Sequence, residues 1–439
     1  MSDATAPEQE SASDGPPPIP LLEPADGVPP VVTTADEIVV AARELAAGTG
    51  PLAVDAERAS GFRYSNRAYL IQLRRAGAGT YLIDPIPIAD SLAPLAEAIN
   101  PLEWVLHSAD QDLPGLAELG LHPAALYDTE LAGRLAGFER VGLAAIVERT
   151  LGLELRKGHG AADWSTRPLP ATWLNYAALD VEVLLELREK MVAELAAQDK
   201  TEWAAEEFEY IRTAGPPAPK PDRWRRTSQI HTVKKARQLA AVRQLWLSRD
   251  ELASRRDVAP NRVLPDSAII AAATADPKTI DELRRVPVFG GPRQRRTSRL
   301  WLTALDDARS LPDSDLPPVN QPVTGPPPIN RWSRRNPAAA TRLTAARGAM
   351  TALSDELSIP VENLLTPDLL RRLCWDGIEW DAALSDPDEL ERAVDDYLTA
   401  VDDYLTAGNA RAWQRRLAVP RIAEAVLAAP TAEDSTETD

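Results

Sequence analysis

"GPLAVDAER", Gly50 to Arg58, is a short apolar run that opens on a glycine and a proline and closes on charge. Such a run reads as a β-strand. Side chains alternate between the faces of a strand, so Asp55 and Glu57 share one face while Ala56 takes the other. Two carboxylates on one face of an apolar strand are either a wet strand surface or part of a site, and the rest of the chain decides which. Working outward, "RAYLIQLRR" (67–75), "GTYLIDP" (79–85) and "EWVLHSA" (103–109) are further strands bounded by Gly, Pro and Asn. Helical apolar patterns lie between and after them, in "SLAPLAEAI", "LPGLAELGL", "LAAIVERTLGL" and a long stretch over 170–197. Three strands in quick succession, then strand–helix alternation, predict a mixed sheet packed by helices, an α/β domain.

Two further stretches carry acid. "HSADQDLPGL" places Asp112 just past an apolar strand at the start of a helix, where a carboxylate commonly caps the helix. "LNYAALDV" (174–181) carries Tyr176 and Asp180 four residues apart, one above the other on a helix face. Strand, turn and helix thus supply four carboxylates. Four like charges in one cleft are prohibitive unless neutralised, and divalent cations that prefer oxygen ligands, Mg2+ or Mn2+, are the natural neutralisers. Two such ions clamp the attacking and leaving oxygens of a phosphoryl displacement. Tyr176 would then orient the attacking water from one turn away. Four scattered histidines and one cysteine leave too few ligands for zinc.

The order D-x-E, then H-x4-D-L, then Y-x3-D resembles the tyrosine-containing branch of the DEDD superfamily of 3′–5′ exonucleases, and the ribonuclease D family within it. "LIQL" (70–73), "LIDP" (82–85), "DTELAGRL" (128–135) and "KGHGAADWSTRPLP" (157–170) extend the resemblance over about 51–190. It implies a ribonuclease H-like fold, with Asp55, Glu57, Asp112 and Asp180 as ligands of two divalent ions and Tyr176 positioning the nucleophilic water. His107 belongs to the second motif as a support of the fold. Asp110 is passed over, because the H-x4-D spacing selects Asp112, and Trp164 is read as packing. Lys157 and Arg167, in the loop before the last motif, are candidates for substrate phosphate or for a solvated loop.

At 439 residues the chain is long enough for two or three domains. Residues 1–33, acidic and proline-rich, read as a disordered tail and not as a signal peptide. The α/β domain takes 34–213, a linker 214–227, a small all-α domain 228–308 and a second proline-rich linker 309–332. A further helical segment covers 333–428, with a polar tail at 429–439. Inside it "VDDYLTA" occurs twice in tandem, at 394–400 and 401–407. Seven residues are nearly two helical turns, so the repeat reads as a lengthened helix. No stretch approaches the ~20 apolar residues of a membrane span. The one cysteine, Cys374, excludes an internal disulfide framework and fits a reducing cytoplasm. A cytoplasmic protein with no membrane partner is expected, with a monomer as the working assumption.

The net charge of −18 conceals an asymmetry. Residues 212–299 hold 20 Lys and Arg against 8 Asp and Glu, while the remainder holds 28 against 58. A basic module can hold phosphates whatever its neighbours carry. "LWLSRDELASRRDVAPNRVLPDSAIIAAA" with "IDELRRVPVFGG" after it resembles the HRDC domain. The segment at 333–428 reads as a second, diverged copy that lacks the R-V-L-P-D stretch, and its acidity suits docking or spacing. Trp224, Arg225, Lys234 and Lys235 in "DRWRRTSQIHTVKKAR" are candidates for phosphate contact and base stacking. The resemblance implies a metal-dependent 3′–5′ exoribonuclease that trims RNA 3′ ends, such as those of tRNA precursors, and releases nucleoside 5′-monophosphates. A DNA exonuclease uses the same carboxylates and metals and differs in contacts to the 2′-OH. A non-catalytic RNA-binding scaffold is disfavoured, because all four acidic positions and the tyrosine are present. A helicase is excluded, since no G-x4-G-K-[ST] phosphate loop occurs.

Overall fold

The computed structural model describes residues 17–156, 158–215, 220–320, 325–379 and 387–429. Among the described residues eight strands form two sheets. β1 (Ile19–Leu21) pairs parallel with β8 (Leu153–Leu155) in a small ribbon. The other six are β2 (Val31–Val32), β3 (Thr49–Arg58), β4 (Ala68–Ala76), β5 (Gly79–Ile83), β6 (Glu103–Leu106) and β7 (Ala125–Asp128). They form a mixed sheet in the order β2-β5-β4-β3-β6-β7. β4 runs antiparallel to β3 and to β5; the second pairing follows because "AGAG" (76–79) is short enough only for a hairpin, and Gly77 and Gly79 take the positive φ it needs. β3 is central, with Leu52, Ala53 and Val54 buried.

Helices cover the sheet and its edges: α1 (Ala35–Ala47), α2 (Ala93–Ile99), α3 (Leu113–Ala117), α4 (Thr129–Leu135), α5 (Leu143–Leu151), α6 (Ala171–Glu182), α7 (Leu184–Ala197) and α8 (Thr201–Thr213). α1 opens with a capping box between Thr34 and Glu37 and buries Ile38, Ala41, Ala42 and Leu45, the spacing of one helix face. α6 packs across β3, β4 and β5, which brings its acidic end over the carboxylate strand. The apolar pattern expected as one helix over 170–197 is two, α6 and α7, divided at Val183.

The expected disordered tail at 1–33 is corrected for its second half. Residues 1–16 lie outside the described residues, but 17–33 hold β1 and β2, and the Leu22 carbonyl accepts from Asn175 Nδ2 at 2.8 Å. "IPL" and "VV" are strand-forming pieces too short to register against the acidic, proline-rich composition around them.

Two helical modules follow. The first comprises α9 (Ala236–Arg256), α10 (Pro260–Val263), α11 (Asp266–Ala275), α12 (Ile280–Arg285), α13 (Pro292–Arg295) and α14 (Ser298–Ser310). Its core is its own and includes Trp224, Leu245, Phe289 and Trp301. The stretch expected as linker to 227 therefore already contributes Trp224 to this core. The second module comprises α15 (Trp332–Arg335), α16 (Pro337–Leu357), α17 (Val361–Leu364), α18 (Pro367–Asp376), α19 (Pro387–Ala407) and α20 (Ala412–Leu427). Trp332, at the expected linker's end, is fully buried. α16, α17 and α18 have the lengths of α9, α10 and α11, namely 21, 4 and 10 residues, and start at 337, 361 and 367 against 236, 260 and 266. "NLLTP" thus stands where the first module has "RVLPD". The buried Leu364 and Leu365 replace Val263 and Leu264 while the flanking charges are lost. The tandem "VDDYLTA" lies within the single helix α19, which buries Tyr397, Val401 and Leu405.

Both modules touch the α/β domain through the turn that ends the long helix, with opposite chemistry. Asp257, left-handed after α9, accepts from Tyr64 N (3.2 Å), Ser65 N (2.9 Å), Ser65 Oγ (2.9 Å), Arg67 Nη2 (3.0 Å) and Tyr69 Oη (3.2 Å). Ser358 is its left-handed counterpart after α16. Beside it the Leu357 carbonyl accepts from Lys200 Nζ at 2.6 Å, and a Cβ on Gly137 would lie 2.5 Å from the Ser358 carbonyl oxygen. The second module's core is continuous with that of the α/β domain. Trp413 stacks on Trp203 and donates to Glu207 at 2.9 Å.

Candidate active site

The strand, the turn and the helix converge. Asp55 and Glu57 at the end of β3 and Asp180 on α6 bring carboxylate oxygens within 4.8 Å of one another. They line a cavity of about 340 Å3 with Asp112 and Tyr176. Asp112 stands apart from the trio, its carboxylate 3.7 Å from the guanidinium of Arg58, which also donates to Gln111 Oε1 at 3.3 Å. Although Asp112 sits at the N-cap of α3, its side chain makes no cap hydrogen bond, so the capping role does not apply. It is 6% exposed, whereas Asp110 points to solvent.

The turn that presents Asp112 is held by a residue the sequence reading did not single out. The buried Asp128 carboxylate accepts from Ser108 N (3.2 Å) and Ala109 N (2.8 Å) and also caps α4 through Glu130 N and Leu131 N. A strand ending in Asp just before a helix was the available signal. Ser108 is left-handed at φ 62, the kink that turns β6 toward Asp112. His107 lines the cavity wall with Nδ1 2.9 Å from Thr129 Oγ1, whose own proton goes to the Leu106 carbonyl at 3.2 Å. Burial pushes its pKa down to about 4, so the ring is neutral at physiological pH and supports the fold.

Burial raises all four carboxyl pKa values, and repulsion from neighbouring carboxylates adds to it at Glu57, Asp112 and Asp180. Glu57 is pushed up by desolvation and then by Asp55, Asp180 and Asp112, while Asp112 and Asp180 are raised by desolvation and then by Asp55. Asp55 is raised to about 6 by burial, against the pull of its backbone hydrogen bond and Arg58. The arrangement is costly as four anions and is relieved by cations with oxygen ligands. Tyr176 lies beside Asp180, and burial and that carboxylate raise its pKa, so it keeps its proton. Its ring is clasped by the loop that precedes α6: a Cβ on Gly158 would lie 2.2 Å from Tyr176 Cδ2, so only glycine fits there. A second cavity of about 640 Å3 shares Tyr176, Asp180 and Arg156 with the first, and the N-terminal Leu22, Glu23 and Val28 form its outer wall.

The expected nucleic-acid contacts fare differently. Lys157 lies outside the described residues. Arg167 is a structural clamp: its guanidinium spans the Asp84 carboxylate (2.5 and 2.8 Å) and donates to the carbonyls of Tyr69, Trp164 and Thr166. Trp224 is buried with its Nε1 donating to Asp222, so it has no open face for a base. Arg225 lies over the Trp224 ring and donates to the Pro318 carbonyl at 3.0 Å, tying the linker down. Lys234 and Lys235 are exposed ahead of α9. Trp164 is fully buried against Trp173, as packing requires.

Residues 29–196 match a family model described as a 3′-5′ exonuclease, 238–305 match the HRDC domain, and 325–426 match a model described as a 3′ to 5′ exonuclease C-terminal domain. Fold and family model together make the α/β domain a 3′–5′ exonuclease domain. A ribonuclease D from Jannaschia sp. is 33% identical over 66% of this chain and 77% of its own length. A solved protein from Bifidobacterium adolescentis is 39% identical, with a TM-score of 0.84 over 93% of this chain and 99% of that one. Escherichia coli RNase D, described as an exoribonuclease involved in structured RNA processing, is 25% identical with a TM-score of 0.61, over 84% and 99%. The chain belongs to the ribonuclease D family.

Proposed function

We propose that the protein is a divalent-metal-dependent 3′–5′ exoribonuclease that shortens RNA from its 3′ end and releases nucleoside 5′-monophosphates. The observation that carries this reading is the convergence of Asp55, Glu57 and Asp180 within 4.8 Å, in a cavity that Asp112 also lines. An all-oxygen donor set of raised pKa suits Mg2+ or Mn2+, and these four residues would hold two such ions. Bound there, the ions supply positive charge at the attacking and leaving oxygens of the phosphodiester. Tyr176, protonated and one turn before Asp180, orients the attacking water through its hydroxyl. Arg58 lies 3.7 Å from Asp112 and adds a positive charge at the cavity wall. RNA as substrate is supported by the ribonuclease D relatives, and structured RNAs with 3′ tails, tRNA precursors among them, are the proposed class. A cytoplasmic location accords with Cys374, a buried thiol whose pKa burial pushes up to about 12.

The test is hydrolysis of end-labelled RNA and DNA of one sequence with Mg2+, Mn2+ or a chelator. The expected result is metal-dependent shortening of RNA from the 3′ end with mononucleotide products. Faster shortening of DNA would move the protein to the DNA exonucleases. Intact RNA and DNA with either metal would leave a binding scaffold.

A further inference from the structure

A groove of about 700 Å3 opens where Phe62 and Arg63 meet the first helical module. Its walls carry Arg63 from the exonuclease domain and Arg256, Arg262, Arg293 and Arg296 from the module. Among the described residues none of these five forms an ion pair. The contrast lies within the same module, where Arg237, Arg249, Arg284 and Arg309 each have an aspartate partner. Asp163, the carboxylate on the groove wall, is engaged by the Ser165 hydroxyl.

One of the five arginines, Arg262, also ties the two domains together, and Arg63 is braced within its own domain. Arg63 Nε donates to Ser165 Oγ at 2.8 Å, and Arg262 Nε donates to the Gly61 carbonyl at 2.8 Å while lying over the Phe62 ring at 4.0 Å. Among the described residues, Arg256, Arg293 and Arg296 have no such structural employment beyond one bond from Arg293 to the Arg262 carbonyl, and all three are exposed. Gathering five guanidiniums around one groove that has a single carboxylate, Asp163, on its wall costs repulsion unless a further anion lies between them. Guanidinium forks match phosphate oxygens.

The groove's position selects the anion. Arg58 lines the carboxylate cavity and Arg63 lines the groove, five residues later, so the two are at most about 18 Å apart along the chain. A groove built from two domains and lined by five guanidiniums suits a repeated phosphate more than a single small anion. We infer that this groove holds the sugar–phosphate backbone of the RNA upstream of the 3′-terminal nucleotide being removed. The inference rests on the exoribonuclease reading for the identity of the polyanion. It also gives the Asp257 contact a purpose, since that contact sets the module wall of the groove against Phe62 and Arg63.

The test uses the full chain with Arg256→Ser, Arg293→Ser and Arg296→Ser combined. These exposed positions lie outside the cores. Equilibrium binding of a long RNA with a single-stranded 3′ tail and of a trinucleotide is measured from low to high salt. Each lost single-strand phosphate contact removes about 0.7 from the slope of log affinity against log salt, so the variant's slope for long RNA should flatten by about 2. Its affinity deficit at low salt should be roughly tenfold or more for long RNA and should shrink for the trinucleotide. An unchanged slope for long RNA overturns the inference. So does an equal flattening when Arg331, Arg334 and Arg335 on the second module are replaced by Ser, because the effect is then one of total charge. Because binding is read without turnover, a wild-type protein that binds RNA but hydrolyses none would overturn the exonuclease reading and leave the groove standing.

Discussion

The carboxylate cavity and the arginine groove are opposites in every physical respect. The cavity gathers buried anions on β3, α6 and the turn after β6, elements fixed by the core of one domain. The groove gathers exposed cations on the end of α9, on α10 and around α13, and one wall of it belongs to a different domain. Buried charge on rigid elements is what reaction chemistry needs, because small displacements of the reacting groups are expensive. Exposed charge on a docked module is what holding a long polyanion needs, because the contacts are many, tolerant and screened by salt. The two regions should therefore fail separately.

The sharpest break in that comparison comes from the cavity. Asp180→Ala should lower single-turnover cleavage on the order of 10³-fold, the several kcal/mol that a misplaced ion forfeits, while long-RNA affinity is kept. Filter binding beside single-turnover kinetics checks it, and a matching collapse of affinity would show that one region does both jobs. Next is Tyr176→Phe, which keeps the ring clasped by Gly158 and removes only the hydroxyl. A positioned group of this kind is worth ~10²–10⁴ in rate, with the low end expected where metal activates the water. At saturating metal and enzyme, a rate within about twofold of wild type would make Tyr176 a packing residue.

The third effect is smaller and belongs to the groove. Asp257→Ala removes the acceptor of five hydrogen bonds between module and exonuclease domain. About 1–2 kcal/mol of docking should be lost at this half-exposed contact. Since the module has its own core, it should stay folded, with severalfold weaker long-RNA binding and faster amide exchange at Tyr64 and Ser65. Unchanged exchange there would mean that the module is held by other contacts. Deleting everything from residue 224 onward is a poorer probe, because the second module's core is continuous with that of the exonuclease domain.

The smallest effect is on stability against pH. The cavity carboxyls titrate above the ordinary range near ~4, Asp55 at about 6. Between those values the four carboxyls hold more protons in the folded chain than in the unfolded one and outweigh the opposite effect of the single buried His107, so stability falls as pH rises through that window. Metal-free protein should melt a few degrees higher at pH 5 than at pH 7, and saturating Mg2+ should reduce the difference. A metal-free melting temperature that rises from pH 5 to pH 7 would contradict the crowding of these acids.

Much of the cavity was legible in the sequence because its parts lie on regular elements. Period two puts Asp55 and Glu57 together, and period 3.6 puts Tyr176 over Asp180. What escaped depended on partners far along the chain. The freedom of Arg167 could not be judged without Asp84, 83 residues earlier, and the burial of Trp224 is decided by the helices that enclose it. The basic excess of 212–299 was visible as a number. Its working part was not, because the groove exists only where residues 62–63 meet residues 256–296. The small strands at 19–21 and 31–32 were hidden by the composition around them.

The central claim is that all four carboxylates act as one two-ion site, although Asp112 stands on Arg58 and apart from the other three. Crystals of the full chain grown with Mn2+ and measured for anomalous scattering test this directly. The account predicts two peaks roughly 3.5–4 Å apart, bracketed by Asp55, Glu57, Asp112 and Asp180, with Asp112 turned away from Arg58. A single peak held by Asp55, Glu57 and Asp180 while Asp112 stays on Arg58, or no peak at the cavity, would contradict it.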